Sequence, residues 1–67
     1  MEIYVKVKDI LEQRNITQLQ LAEMTGIRAA GISDICRNQQ KAINRDHIIR
    51  IAKALNIEDI SEIIEFR

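Results

Sequence analysis

The sequence predicts an all-α domain of five short helices, with a short strand as an optional addition at the N-terminus. Three observations lead there. Apolar residues recur every three or four positions along most of the chain, the spacing of one-sided helices. Proline is absent and glycine occurs only twice, so little interrupts that spacing. Start and stop signals for helices also recur at short intervals, as capping tetrads and as asparagine or glycine after the last periodic residue.

The opening IYVKVK alternates apolar Ile3, Val5 and Val7 with Tyr4, Lys6 and Lys8, which is strand periodicity. From Val7 the spacing turns helical through Ile10, Leu11 and Arg14, and Asn15 suits a left-handed stop. Thr17 to Gln20 has the form of a capping box, with the Thr17 hydroxyl positioned for the Gln20 amide and the Gln20 side chain reaching back. Ile16, before that cap, and Leu21, at the fourth helical position, match a hydrophobic staple. This second helix runs to Thr25, and Gly26 ends it. The third begins at Arg28 and turns Ile32 and Ile35 inward. Residues 38–43, NQQKAI, read as a polar loop. Asn44 caps a fourth helix with the stripe Ile48, Ile51, Ala52 and Leu55, and Asn56 stops it. Asp59 and Glu62 repeat the capping-box spacing, and Ile60, Ile63 and Ile64 predict a fifth helix facing inward.

The 67 residues make one domain, 1–67, which is expected to bury only about 60% of the surface of its unfolded chain. At 46% hydrophobic and 30% charged, the composition is that of a folded soluble protein. The lone Cys36 excludes an internal disulfide, so packing or oligomerisation must hold the fold. No apolar run approaches the roughly 18 residues of a membrane span, and the start does not resemble a signal peptide. The expected location is the cytoplasm, with no membrane partner.

Net charge is zero, yet its distribution is uneven. Between residues 28 and 53, Arg28, Arg37, Lys41, Arg45, Arg50 and Lys53 outweigh Asp34 and Asp46. Beyond residue 54, Glu58, Asp59, Glu62 and Glu65 outweigh Arg67. One reading is solvated charge on exposed helix faces. The sharper one is a basic working surface in the middle of the chain with an acidic end turned away.

Residues 16–38 resemble the helix-turn-helix of the Cro/phage-repressor (XRE) family. The pattern is a glutamine, an alanine four residues on, a glycine four after that, then buried aliphatics. Gln18, Ala22, Gly26, Ile27, Ile32 and Ile35 hold those positions, with Leu21 in register. NRDHIIRIAKALNI resembles the family's fourth helix, so nearly the whole chain is covered. The resemblance implies a lambda-repressor-like fold, a motif at about residues 17–37 on helices 2 and 3, and a small transcriptional regulator of bacterial or phage type. The frame also has physical reasons of its own. Ala22 is small where two helices cross closely, and Gly26 suits a turn at positive φ. The aliphatics lock the third helix to the core.

In such motifs the second helix enters the major groove of double-stranded DNA with its first residues nearest the bases. The candidate base-reading residues are Arg28, Ala29, Ala30, Ser33 and Asp34. Arg28 is the strongest, since its fork can pair with guanine O6 and N7; a phosphate contact or plain solvation are its alternatives. Arginine caps helices poorly, which invites a functional reason for its place. Ala29 and Ala30 can only pack on thymine methyls or permit close backbone approach. Gly31 costs about 1 kcal/mol against alanine within a helix. Either a side chain there would collide or the residue is incidental. Ser33 can donate to a base or a phosphate. Asp34 could accept from cytosine, though a pair with Arg37 three residues on is at least as natural.

Thr17, Gln18, Arg37, Asn38, Lys41 and Asn44 are the candidate phosphate contacts, with Gln18 at a helix N-terminus suited to anions. Gln39 and Gln40 belong to the same exposed loop. Arg45, Arg50 and Lys53 read as solvated helix charges. Cys36 reads as a half-buried packing residue and His47 as exposed, and no metal site, cofactor, small-molecule ligand or catalytic constellation is evident.

So small a domain makes few base contacts, so a homodimer reading two half-sites is expected. Ile3, Tyr4, Val5, Ile64 and Phe66 are left over once the helical core is assigned, and they are the candidate dimer contacts. The termini would meet as a small sheet or a helix-plus-strand surface. Alternatively they close the monomer's own core. The leading expectation is sequence-specific DNA binding as a repressor. The rival is a protein-interaction module, an antitoxin or adaptor built on the same fold.

Overall fold

The computed structural model describes residues 1–67. It consists of β1 (Ile3–Val5), α1 (Val7–Arg14), α2 (Gln18–Thr25), α3 (Ala29–Arg37), α4 (Arg45–Leu55), a single 3-10 turn (Ile60–Glu62) and β2 (Ile64–Phe66). No helix is long and apolar enough to cross a membrane.

One aliphatic core joins all four α-helices. Val7, Leu21, Ile32 and Ile51 are completely buried, one from each helix, and Ile10, Leu11, Ile35, Ile48 and Leu55 surround them. Apart from Leu21, read as a staple partner, these are positions that helical spacing assigns to the interior; Ala52 of the α4 stripe is only half-buried. Ile27 and Ile57 add the residues just before α3 and just after α4. Ile16 packs partly buried against this core, consistent with the staple before α2.

The helix ends follow local chemistry. Thr17 and Gln20 form the complete capping box: the Gln20 amide donates to Thr17 Oγ1 at 3.0 Å and the Thr17 amide to Gln20 Oε1 at 2.8 Å. Asn44 Oδ1 accepts from the His47 amide at 3.2 Å and starts α4. Asn15, Asn38 and Asn56 each end a helix in the left-handed region, at φ 56°, 55° and 56°. For Asn15 and Asn56 this is the expected stop. For Asn38 it converts a presumed loop residue into the C-cap of α3.

The fifth helix is corrected. Asp59 does not form a capping box with Glu62; its Oδ1 accepts from the Ser61 amide at 2.9 Å and the Ser61 hydroxyl at 2.8 Å. Those bonds hold the Asp59 carboxyl below its usual pKa. The 3-10 turn that follows stops after three residues because the next backbone groups find partners in the N-terminal strand. The Lys6 amide donates to the Ile63 carbonyl at 2.6 Å, and β2 runs antiparallel to β1 with Ile3 opposite Phe66, Tyr4 opposite Glu65 and Val5 opposite Ile64. Ile63 is buried, but Ile60 faces solvent rather than the core. The fold is therefore four α-helices closed by a two-stranded sheet, in which the strand periodicity of IYVKVK is realised.

Candidate nucleic-acid interface

α2 and α3 are joined by a turn that several residues brace. Gly26 sits at φ 75° and its amide donates to the Ala22 carbonyl at 2.9 Å. Most side chains are strained in that conformation, so the glycine is required by the turn. Thr25 is buried; its hydroxyl donates to the Leu21 carbonyl at 2.8 Å and accepts from the Ile27 amide at 3.2 Å. Arg50 braces the same turn from α4, donating to the Thr25 carbonyl at 3.4 Å while its Nε pairs with Asp46 at 2.9 Å. Sequence reads Arg50 as a solvated helix charge and gives Thr25 no role beyond ending α2, whereas the fold puts both on this turn. The threonine had a weak signal in its place before Gly26, whereas Arg50 meets its partner only through the tertiary fold.

α3 then presents its first turn to solvent. Arg28 is the N-cap, with φ −60° and ψ 145°, and its side chain makes no capping bond. Arg28, Ala29 and Ala30 are exposed, whereas Ile32, Ile35 and Cys36 lie in the core. Gly31 has a packing reason: a Cβ there would lie 3.2 Å from Ile27 Cγ2, tighter than an ordinary contact. Ser33 and Asp34 are half-buried. Asp34 and Arg37 form the local ion pair that their spacing suggested, at 2.6 Å. Both remain substantially exposed, so the pair adds little to stability. It sets a guanidinium beside the carboxylate on the outer face of α3.

The six candidate phosphate contacts separate into three kinds. Gln18 at the start of α2, Arg37 at the end of α3 and Lys41 in the loop between α3 and α4 are exposed. Thr17 and Asn44 use their side-chain oxygens as helix caps, which commits those oxygens. Asn38 differs from expectation. Its amide is half-buried and bonded to both backbone groups of Val5, so within the fold it is turned toward β1. Beside it, an open groove of about 380 Å³ separates the 39–41 loop from β1, with Ile35, Ile43 and Ile48 in its lining.

The candidate dimer residues divide similarly. Ile3 and Phe66 are more than half exposed, as is Ile60 nearby in sequence. Val5 is buried and Ile64 is half-buried against the core. Tyr4 is covered by Arg67, whose guanidinium carbon lies 3.5 Å from the ring centroid. The termini thus do meet as a small sheet, and part of the proposed contact set closes the monomer.

Two smaller expectations change. His47 is half-buried rather than exposed, and Cys36 is fully buried rather than half-buried. Burial pushes the Cys36 thiol above its usual pKa, with the Lys8 charge opposing, which disfavours the thiolate. No group of three or more histidine, cysteine or acidic side chains is placed to hold a metal ion.

A family profile described as helix-turn-helix matches residues 7–63, which takes in all four helices and the 3-10 turn. Neither a curated protein nor a solved structure matches the chain.

Proposed function

The chain belongs to the Cro/phage-repressor (XRE) family of DNA-binding helix-turn-helix regulators, and from that premise we propose that it binds specific double-stranded DNA sequences as a homodimeric repressor. The observation that carries the reading is the first turn of α3. Arg28, Ala29 and Ala30 stand exposed there on a helix whose opposite face is locked into the core. Arg28 reads guanine, while the alanines let the backbone approach the groove and pack on thymine methyls. Ser33 and Asp34 lie further along the same face. Gln18, Arg37 and Lys41 hold the phosphates on either side, helped by the amides at the capped starts of α2 and α4.

The test is selection of bound fragments from random or genomic DNA, followed by titration with salt. Specific binding should weaken steeply, with a log–log slope of about −0.9 for each phosphate contact. Lys41→Ala should reduce that slope by about one contact and weaken all sequences alike. A flat salt response, or no enriched fragment, would instead favour the interaction module. The specific observations on that side are zero net charge and a carboxylate, Asp34, on the reading face.

Dimerisation is supported by the terminal sheet. β2 has a strand neighbour on one side only, and Phe66 and Ile3 remain largely exposed beside it. An open strand edge with apolar flanks is a natural place for a second copy to pair. Light scattering at micromolar concentrations should give about twice the 7.8 kDa chain mass. Phe66→Glu should return the mass to that of a monomer. A monomeric wild type would rule the dimer out.

A further inference from the structure

Three helices of this chain end on a left-handed asparagine, but only one of those asparagines uses its side chain. Asn15 and Asn56 stop α1 and α4 through backbone conformation alone, a task that glycine performs equally well. At Asn38, Oδ1 accepts from the Val5 amide at 2.7 Å and Nδ2 donates to the Val5 carbonyl at 3.0 Å. This donor–acceptor pair is what a neighbouring strand would offer. Val5 is buried, and its backbone groups point away from β2, because the bonds at the two ends of the ladder, Glu2 with Arg67 and Lys6 with Ile63, fall on residues an odd number of positions from Val5. Buried backbone groups need partners, so the asparagine amide stands in for a third strand.

We propose that Asn38 is a positioning residue for DNA reading, a latch that ties the end of the reading helix to the terminal sheet and so sets the angle at which Arg28 enters the groove. This deepens the DNA-binding reading above and rests on it. The nine residues of α3 span about 14 Å. Ile32 and Ile35 seat the middle of the helix on the core, but aliphatic contacts are not directional and permit tilt. Two hydrogen bonds of fixed polarity at the far end remove that freedom. A tilt of about 10° about that seat would move the first turn by about 1 Å, enough to stretch a hydrogen bond to a base edge beyond its range. The latch also explains why Asn38, although beside the DNA-facing loop, is turned away from it.

Asn38→Gly separates the latch from the helix stop, since glycine adopts φ near 55° without strain. Asn38→Asp keeps the acceptor but sets a carboxylate oxygen against the Val5 carbonyl. For each variant, affinity is measured for the selected operator and for random-sequence DNA, with helix content checked by circular dichroism. The glycine variant should lose about tenfold in the operator-to-random ratio, while its affinity for random DNA stays within about twofold. The aspartate variant should lose discrimination too. Equal losses on both DNAs would mean a phosphate contact and overturn the proposal, as would an unchanged ratio in folded protein. Hydrogen exchange of the Val5 amide, read in protein whose other core amides stay protected, provides a readout independent of DNA. It should be protected in wild type and fast in Asn38→Gly; an unprotected Val5 amide in wild type overturns the latch. If wild type selects no operator, the DNA reading itself fails, and this positioning role fails with it even if exchange shows the Val5 bonds intact.

Discussion

Replacing Ile32 by alanine is expected to leave the domain largely unfolded at room temperature. Ile32 is completely buried beneath the middle of α3. Truncating such a side chain typically costs about 2–5 kcal/mol, through lost transfer energy and the cavity left behind. A core in a chain this small rarely supplies more than about 3–5 kcal/mol in total. The loss and the reserve are therefore of the same size. Urea titration followed by circular dichroism should show little or no folded baseline for Ile32→Ala, and a reduced midpoint for Ile32→Val, which removes one methylene at a cost of about 0.5–1.5 kcal/mol. An alanine variant with a midpoint close to wild type would show that α3 is not seated through this residue. Loss of DNA binding in that variant would follow from unfolding and would carry no information about base reading.

Arg28→Ser should move stability and discrimination in opposite directions. The first turn of α3 has no side-chain cap, because arginine offers no acceptor to the free amides. Serine does, and a good N-cap is worth about 0.5–2 kcal/mol over a non-capping residue. In a domain of this size each kcal/mol raises the melting temperature by about 4–8 °C. The same change removes the guanidinium that would read guanine, which should cost about 1–3 kcal/mol of preference between operator and mismatched DNA. A rise in melting temperature with a fall in discrimination would identify Arg28 as a residue kept for recognition at the expense of the helix start. Higher stability with unchanged discrimination would return Arg28 to solvent and shift the search for base contacts to Ser33. Arg28→Ala separates the two effects, since it removes the fork without adding a cap.

Much of the fold is visible in patterns along the chain. The capping box at Thr17 and Gln20, the turn at Gly26 and the inward aliphatics of α3 and α4 are local features, each decided within a few residues, and each is present in the fold. The Asp34–Arg37 pair belongs with them, being separated by one helical turn. The exposed start of α3 was legible for the same reason, since helical periodicity alone separates its outer from its inner face. The fifth helix was misread because its local signals are real but weak. A capping aspartate and three isoleucines suit a helix until the backbone of Ile63 finds Lys6 across the chain.

What the sequence determined by itself was the helical frame, the turn and the residues that face outward from α3, because side-chain spacing and capping chemistry act over three or four residues. Only the tertiary structure decided where the two ends of the chain meet, that Arg50 braces the turn at Thr25, and that Asn38 turns from the DNA side to bond Val5. Each of these joins groups at least 25 residues apart in the chain. Hydrogen-bonding capacity is written in residue identity, but the choice of partner depends on which groups the packed core brings within about 3 Å of each other.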